Sequence, residues 1–142
     1  MLSGETVSLT LPADKVEDLA GNTNKASTYT DKFVTYDATQ PTVTVNQADD
    51  QVDPTNVNEI KFTVVFSEPI NGDTFAKNDL AIEGSSTATV SQLQTVNSTT
   101  YTAVVTGMLS GETVSLTLPA DKVGDMAGNL NKASTYTDKS VT

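Results

Sequence analysis

Apolar and polar positions alternate along most of this chain. Ile60, Phe62, Val64 and Phe66 fall on one face of an extended segment, with Lys61, Thr63 and Ser67 on the other. Thr42-Val43-Thr44-Val45 and Val114-Ser115-Leu116-Thr117-Leu118 alternate in the same way. A period of two with β-branched residues predicts half-buried strands, because successive side chains of a strand point to opposite faces. Leu80 to Ile82, Ala88 to Val96, Tyr101 to Thr106 and Ser134 to Val141 are further candidates. Turn-forming clusters separate them: Pro54-Thr55-Asn56, Asn71-Gly72-Asp73, Gly84-Ser85-Ser86, Asn97-Ser98-Thr99 and Leu109-Ser110-Gly111.

About seven short strands in roughly 100 residues predict an all-β fold, an immunoglobulin-like antiparallel β-sandwich. Phe62, Val64, Phe66, Leu116 and Leu118 are its expected core. Pro119 to Ala133 breaks the pattern. Its first half, Pro119 to Asp125, reads as a short helical turn with Pro near its start. Ala127-Gly128-Asn129, which tolerates positive φ, then ends that turn.

The chain also repeats itself. Leu2 to Thr35 returns as Leu109 to Thr142 at an offset of 107 residues, with differences only at Glu17/Gly124, Leu19/Met126, Thr23/Leu130 and Phe33/Ser140. That period is a whole small domain rather than a solenoid unit, so the expected parent is a tandem array. On this reading residues 1–35 are the C-terminal strand pair of a truncated preceding repeat, and residues 36–142 are one complete repeat. Met1 falls in mid-repeat, so the targeting signals of a longer parent are expected outside this sequence. Val7, Leu9 and Leu11 would form an apolar row without a covering sheet, and two strands alone are marginal in water. Self-association through residues 2–35 follows as an expectation: the pair would fill the place of Leu109 to Thr142 in a neighbour.

Composition narrows the chemistry. The chain has no Cys and no His, and its hydrophobic content is 37% with 6% aromatic. A thiolate nucleophile, a disulfide and the commonest general base are therefore excluded. The basic residues are all Lys, and 18 acidic against 8 basic residues give a net charge of −10. Nucleic acid is not an expected partner of such a surface, because binding a polyanion needs a basic patch. No stretch approaches the ~20 apolar residues of a membrane-spanning helix, so no membrane insertion is expected.

Four elements occur together and in order: Asp53-Pro54-Thr55-Asn56, Phe66-Ser67-Glu68-Pro69-Ile70, Phe75 to Asp79, and Asp125-Met126-Ala127-Gly128-Asn129. In these the segment from Tyr36 to Thr142 resembles the bacterial Ig-like repeats of giant surface adhesins. The resemblance implies a stiff stalk on a secreted bacterial protein, located at the cell surface, with Ca2+ at the joints of several such arrays. Its natural partners would be neighbouring repeats of the same chain.

Strand direction alternates in such a sandwich. The connections after the second and sixth strands therefore share a pole with the linker that leads in. Glu68, Asp121, Asp125 and Asn129, with Asp37 from the linker, are the candidate metal ligands. Several carboxylates converging from different segments suit Ca2+, which takes six to eight oxygens in flexible geometry. The alternative reading of the same residues is local: Asp125 and Asn129 cap turns through their own backbone. Asp49, Asp50, Asp53 and Glu112 mark the opposite pole. No paired carboxylates sit where burial would separate their pKa values, so no enzymatic activity is expected. The leading function is a structural spacer. A strand-exchanging fibre subunit, or a sandwich that binds carbohydrate or protein through exposed aromatics, are the alternatives. Tyr29, Tyr36, Tyr101 and Tyr136 are the aromatic candidates for the latter.

Overall fold

The alternating segments are strands in the computed structural model, which describes residues 1–142. The chain divides into two units, Met1–Thr39 and Gln40–Thr142. The first unit is a two-stranded antiparallel ribbon, β1 (Thr6–Ser8) and β2 (Phe33–Thr35), with Thr6 opposite Thr35 and Ser8 opposite Phe33.

The second unit holds seven strands: β3 (Val43–Gln47), β4 (Glu59–Phe66), β5 (Ala81–Glu83), β6 (Thr89–Thr95), β7 (Thr100–Thr106), β8 (Val114–Thr117) and β9 (Ser140–Val141). They form a four-stranded sheet of order β3-β4-β7-β6 and a three-stranded sheet of order β5-β8-β9. All strand pairs within these sheets are antiparallel. This is the all-β, Ig-like arrangement that the turn spacing predicts.

The two sheets bury one shared core. Phe62, Val64, Phe66, Leu116 and Leu118 are all inside it, with Val43, Val45, Ile60, Val105, Val114 and Val141. Two 3-10 turns, Gly72–Thr74 and Lys77–Asp79, connect β4 to β5. Phe75 lies between them and meets Phe66 and Tyr101 edge-on, with ring centroids 5.5 and 5.1 Å away. One glycine is obligatory where the sheets connect. Gly84 has φ +89°, and a Cβ there would stand 1.8 Å from the carbonyl oxygen of Thr113.

Two sequence expectations are corrected. Ser134 to Val141 is not one continuous strand. Its first half runs parallel to β3: Val45 N–H donates to Thr135 O (3.0 Å), Thr135 N–H to Val43 O (2.9 Å) and Gln47 N–H to Asp138 O (2.8 Å). Only Ser140–Val141 joins β8. The Asn46 side chain makes the break, because its Oδ1 accepts from Thr137 N–H (2.8 Å) and Asp138 N–H (3.0 Å).

Nor does Pro119 to Asp125 form a helical turn. Asp121 has φ +61°. The fully buried Asn131 takes the backbone groups a helix would use. Its Oδ1 accepts from Lys122 N–H (2.9 Å) and Val123 N–H (2.8 Å). Its Nδ2 donates to Pro119 O (3.0 Å) and Lys132 O (2.8 Å).

Candidate functional site

The connection between β8 and β9 is folded by its own polar side chains. Asp125 Oδ1 accepts from Ala127 N–H (2.7 Å) and Asn129 N–H (2.9 Å), and Oδ2 accepts from Asn129 Nδ2 (2.9 Å). Asp125 N–H in turn donates to Asn129 O at 3.0 Å. The loop is tied to the β4–β5 connection as well. Asn71 N–H donates to Gly124 O (2.9 Å), and Gly124 N–H donates to Thr74 Oγ1 (3.0 Å).

Asp125 is buried. Burial alone would raise its pKa, but the N–H groups of Asn129, Ala127 and Gly128 outweigh it and hold the carboxyl below its usual range. Asp125 is thus a carboxylate at neutral pH. The same loop occurs in the first unit without burial. Asp18 accepts from Ala20 N–H, Asn22 N–H and Asn22 Nδ2, each at 2.9 Å. Its pKa is also lowered, chiefly by the Asn22 side chain. The turn is therefore dictated locally by the Asp-x-Ala-Gly-Asn sequence, and the capping reading of Asp125 and Asn129 holds in both copies.

A second carboxylate joins it. One oxygen of Glu68, which is half-buried after β4, lies within 4.8 Å of one oxygen of Asp125. Two oxygens that share a Ca2+ at roughly 2.4 Å each lie at most about 4.8 Å apart, so the separation is compatible with a common ion. The backbone N–H groups of Ala127, Gly128 and Asn129 and the Asn129 side chain all act on the Asp125 carboxylate. Asn129 is half-buried beside Asp125 and spends its Nδ2 on it. Asp121 is exposed on its turn and stands outside the Glu68–Asp125 group. Asp37 belongs to the first unit, where its Oδ1 accepts from Ser3 Oγ (3.0 Å) and Thr39 N–H (2.9 Å).

At the opposite pole the acidic residues also have structural partners. Asp53 Oδ1 accepts from Thr142 N–H (2.8 Å), and Asp50 pairs with Lys61 at 3.5 Å. Glu112 accepts from the Ser85 side chain and Leu109 N–H, which lowers its pKa. Of the aromatic candidates, Tyr101 is buried in the core. Tyr29 and Tyr136 each carry a lysine over the ring, Lys32 at 4.0 Å and Lys139 at 4.3 Å.

The sequence reading missed Asn131 and Thr74, which hold the loop from inside. A signal for Asn131 exists: Asn24 repeats it in the first copy, each two residues after the Asp-x-Ala-Gly-Asn turn. Nothing in the pattern distinguishes Thr74 from the chain's many other threonines.

A protein-family model described as bacterial Ig-like domain matches residues 37–141. Comparison with curated proteins and with solved structures finds no match.

Proposed function

This chain belongs to the bacterial Ig-like domain family, and on that premise we propose that it is a structural spacer repeat of a secreted bacterial surface adhesin, stiffened by Ca2+ at its joints. The observation that carries the reading is the repeat itself. Thirty-four residues return almost unchanged after 107 positions, and that period is close to the length of the folded second unit, Gln40–Thr142. Units of one size and nearly one sequence, set in series, make a stalk. A stalk needs folded, well-dispersed units and no pocket, which suits a surface rich in Thr, Ser and Asp with a net charge of −10. No helix is long and apolar enough to cross a membrane.

The calcium part rests on Glu68 and Asp125. When bound, the ion would screen two carboxylates held close together and tie the β4–β5 connection to the β8–β9 connection. Asn129 and Asp121 are further oxygen donors on the same loop. Asp37, which precedes the second unit in sequence, is the linker candidate. Saturating Ca2+ stabilises a native state by RT ln(1 + [L]/Kd), about 2.7 kcal/mol at a hundredfold excess over Kd. Residues 36–142 should therefore melt several degrees higher in millimolar Ca2+ than in EDTA, and Asp125→Asn or Glu68→Gln should abolish the difference. Coincident curves for the unaltered sequence would remove calcium and leave a metal-free spacer.

A carbohydrate-binding module is the weaker reading, because it needs an open aromatic platform. The buried ring of Tyr101 and the lysine-covered rings of Tyr29 and Tyr136 do not favour one.

A further inference from the structure

Tyr36 to Thr39 lead into the second unit but are folded onto the first. Tyr36 N–H donates to Glu5 O (2.9 Å) and Gly4 N–H donates to Tyr36 O (2.7 Å), which continues the β1–β2 pairing past Thr6 and Thr35. Beyond that point the Ser3 hydroxyl takes over. Its Oγ accepts from Ala38 N–H (3.0 Å), donates to Asp37 Oδ1 (3.0 Å) and lies 2.8 Å from Thr39 Oγ1. An ionised carboxylate only accepts, so the Ser3 proton goes to Asp37 and the Thr39 hydroxyl donates to Ser3. One donor and two acceptor positions are the whole capacity of a hydroxyl, and all of them serve the linker. Asp37 Oδ1 also accepts from Thr39 N–H (2.9 Å).

The turn that carries Ser3 does not itself need the hydroxyl. It closes through Leu2 N–H to Glu5 Oε2 (2.6 Å) and Glu5 N–H to Leu2 O (3.0 Å). Its second copy closes in the same way, through Leu109 N–H to Glu112 Oε2 (2.8 Å) and Glu112 N–H to Leu109 O (3.1 Å). The second unit takes hold of the chain at Pro41, which is buried and whose carbonyl accepts from Lys132 N–H (2.9 Å). Thr42 N–H then donates to Ser67 Oγ (3.0 Å). Gln40 stands between the two tied segments and is exposed. Its freedom is restricted further, because a residue before proline is held to extended ψ and the proline ring fixes the next φ.

We propose that the Leu-Ser-Gly-Glu turn is a docking site for the linker sequence Tyr-Asp-Ala-Thr, with Ser3 as its positioning residue. The linker then moves with the repeat that precedes it, and the chain between repeats bends at one place, the ψ of Thr39 and the φ of Gln40. Five free linker residues would have about ten soft dihedrals; the docked linker keeps these two. The device needs no ion. It deepens the spacer reading, on which such joints recur along an array, by naming the side chain that shortens the flexible part of each joint.

The test uses the whole chain, residues 1–142, isotope-labelled for NMR and kept in EDTA so that no ion contributes. Fast mobility is read from the heteronuclear NOE, and local opening from amide hydrogen exchange. Tyr36 to Thr39 should be as rigid as Thr6 and Thr35, with the mobility maximum at Gln40. Ser3→Ala should bring Asp37, Ala38 and Thr39 to the mobility of Gln40 and speed exchange at Ala38 and Thr39 at least about tenfold, since their hydrogen bonds would open locally. Ser3→Thr keeps the hydroxyl and should hold them. Ser110→Ala, the same change in the second copy of the turn, should leave residues 36–40 as they are. Asp37 to Thr39 as mobile as Gln40 in the unaltered chain, or still rigid after Ser3→Ala, would overturn the proposal. So would loss of the paired amide signals of Thr6 and Thr35 in Ser3→Ala, because Ser3 would then hold the ribbon rather than the linker. These local readings are separate from how tandem arrays extend, so a failed docking site and a failed spacer are told apart.

Discussion

Single side chains decide the shape of the β8–β9 connection. Asn131 satisfies four backbone groups from a fully buried position. Leaving buried amides and carbonyls without partners costs about 1–3 kcal/mol each before relaxation. Asn131→Ala should therefore destabilise the second unit by about 2–4 kcal/mol in urea unfolding, while Asn24→Ala, at its exposed counterpart, leaves that transition in place. Asp125 gives a pH signature. Its folded pKa lies below the ordinary unfolded value of about 3.9, owing to hydrogen bonds that outweigh burial. A depressed folded pKa means that the fold favours the charged form. The stabilisation is then present above about pH 4 and is lost as pH falls through the folded value. The stability gap between the unaltered chain and Asp125→Asn should be steady from pH 7 to 5 and narrow below pH 4. A gap that stays constant down to pH 2 would show that the carboxylate's charge contributes nothing.

Strands were the most legible elements, for a plain reason. In β4 the period-two pattern coincides with burial: Ile60, Phe62, Val64 and Phe66 are inside, and the residues between them are half-buried or exposed. Phe66 also contacts Phe75 and Tyr101 edge-on. Phe66→Ala should cost roughly 3–5 kcal/mol in equilibrium unfolding, as large-to-small changes in packed cores do; a neutral substitution would contradict the assigned core. The last strand was less legible. Tyr136 to Ser140 keeps the composition of a strand, but the Asn46 carbonyl captures two of its amides from 91 and 92 residues away. Local pattern carries no trace of such a partner. The loop from Pro119 failed likewise. A Pro followed by Ala-Asp-Lys-Val suits a helix by propensity, and a buried asparagine twelve residues later overrides it. In the candidate site, strand direction places Glu68 and Asp125 at one pole, but it does not tell which residues of that pole come within 4.8 Å of one another. Nor does it tell that Asp121 is exposed, on a turn where it takes a positive φ.

At the scale of the whole molecule the repeat organises the account. One sequence of 34 residues appears twice, buried in one unit and exposed in the other. The local turns survive in both, so they are encoded within the segment, whereas the core is supplied by the strands that precede Leu109. The central claim is that such units in series form a stiff spacer. The most direct measurement is small-angle X-ray scattering from tandem arrays of two, four and six copies of residues 36–142, in Ca2+ and in EDTA. The account predicts that the maximum dimension grows by a constant increment per copy in Ca2+ and by a smaller, declining one in EDTA. Growth with roughly the square root of copy number in both conditions, the behaviour of freely jointed units, would contradict it.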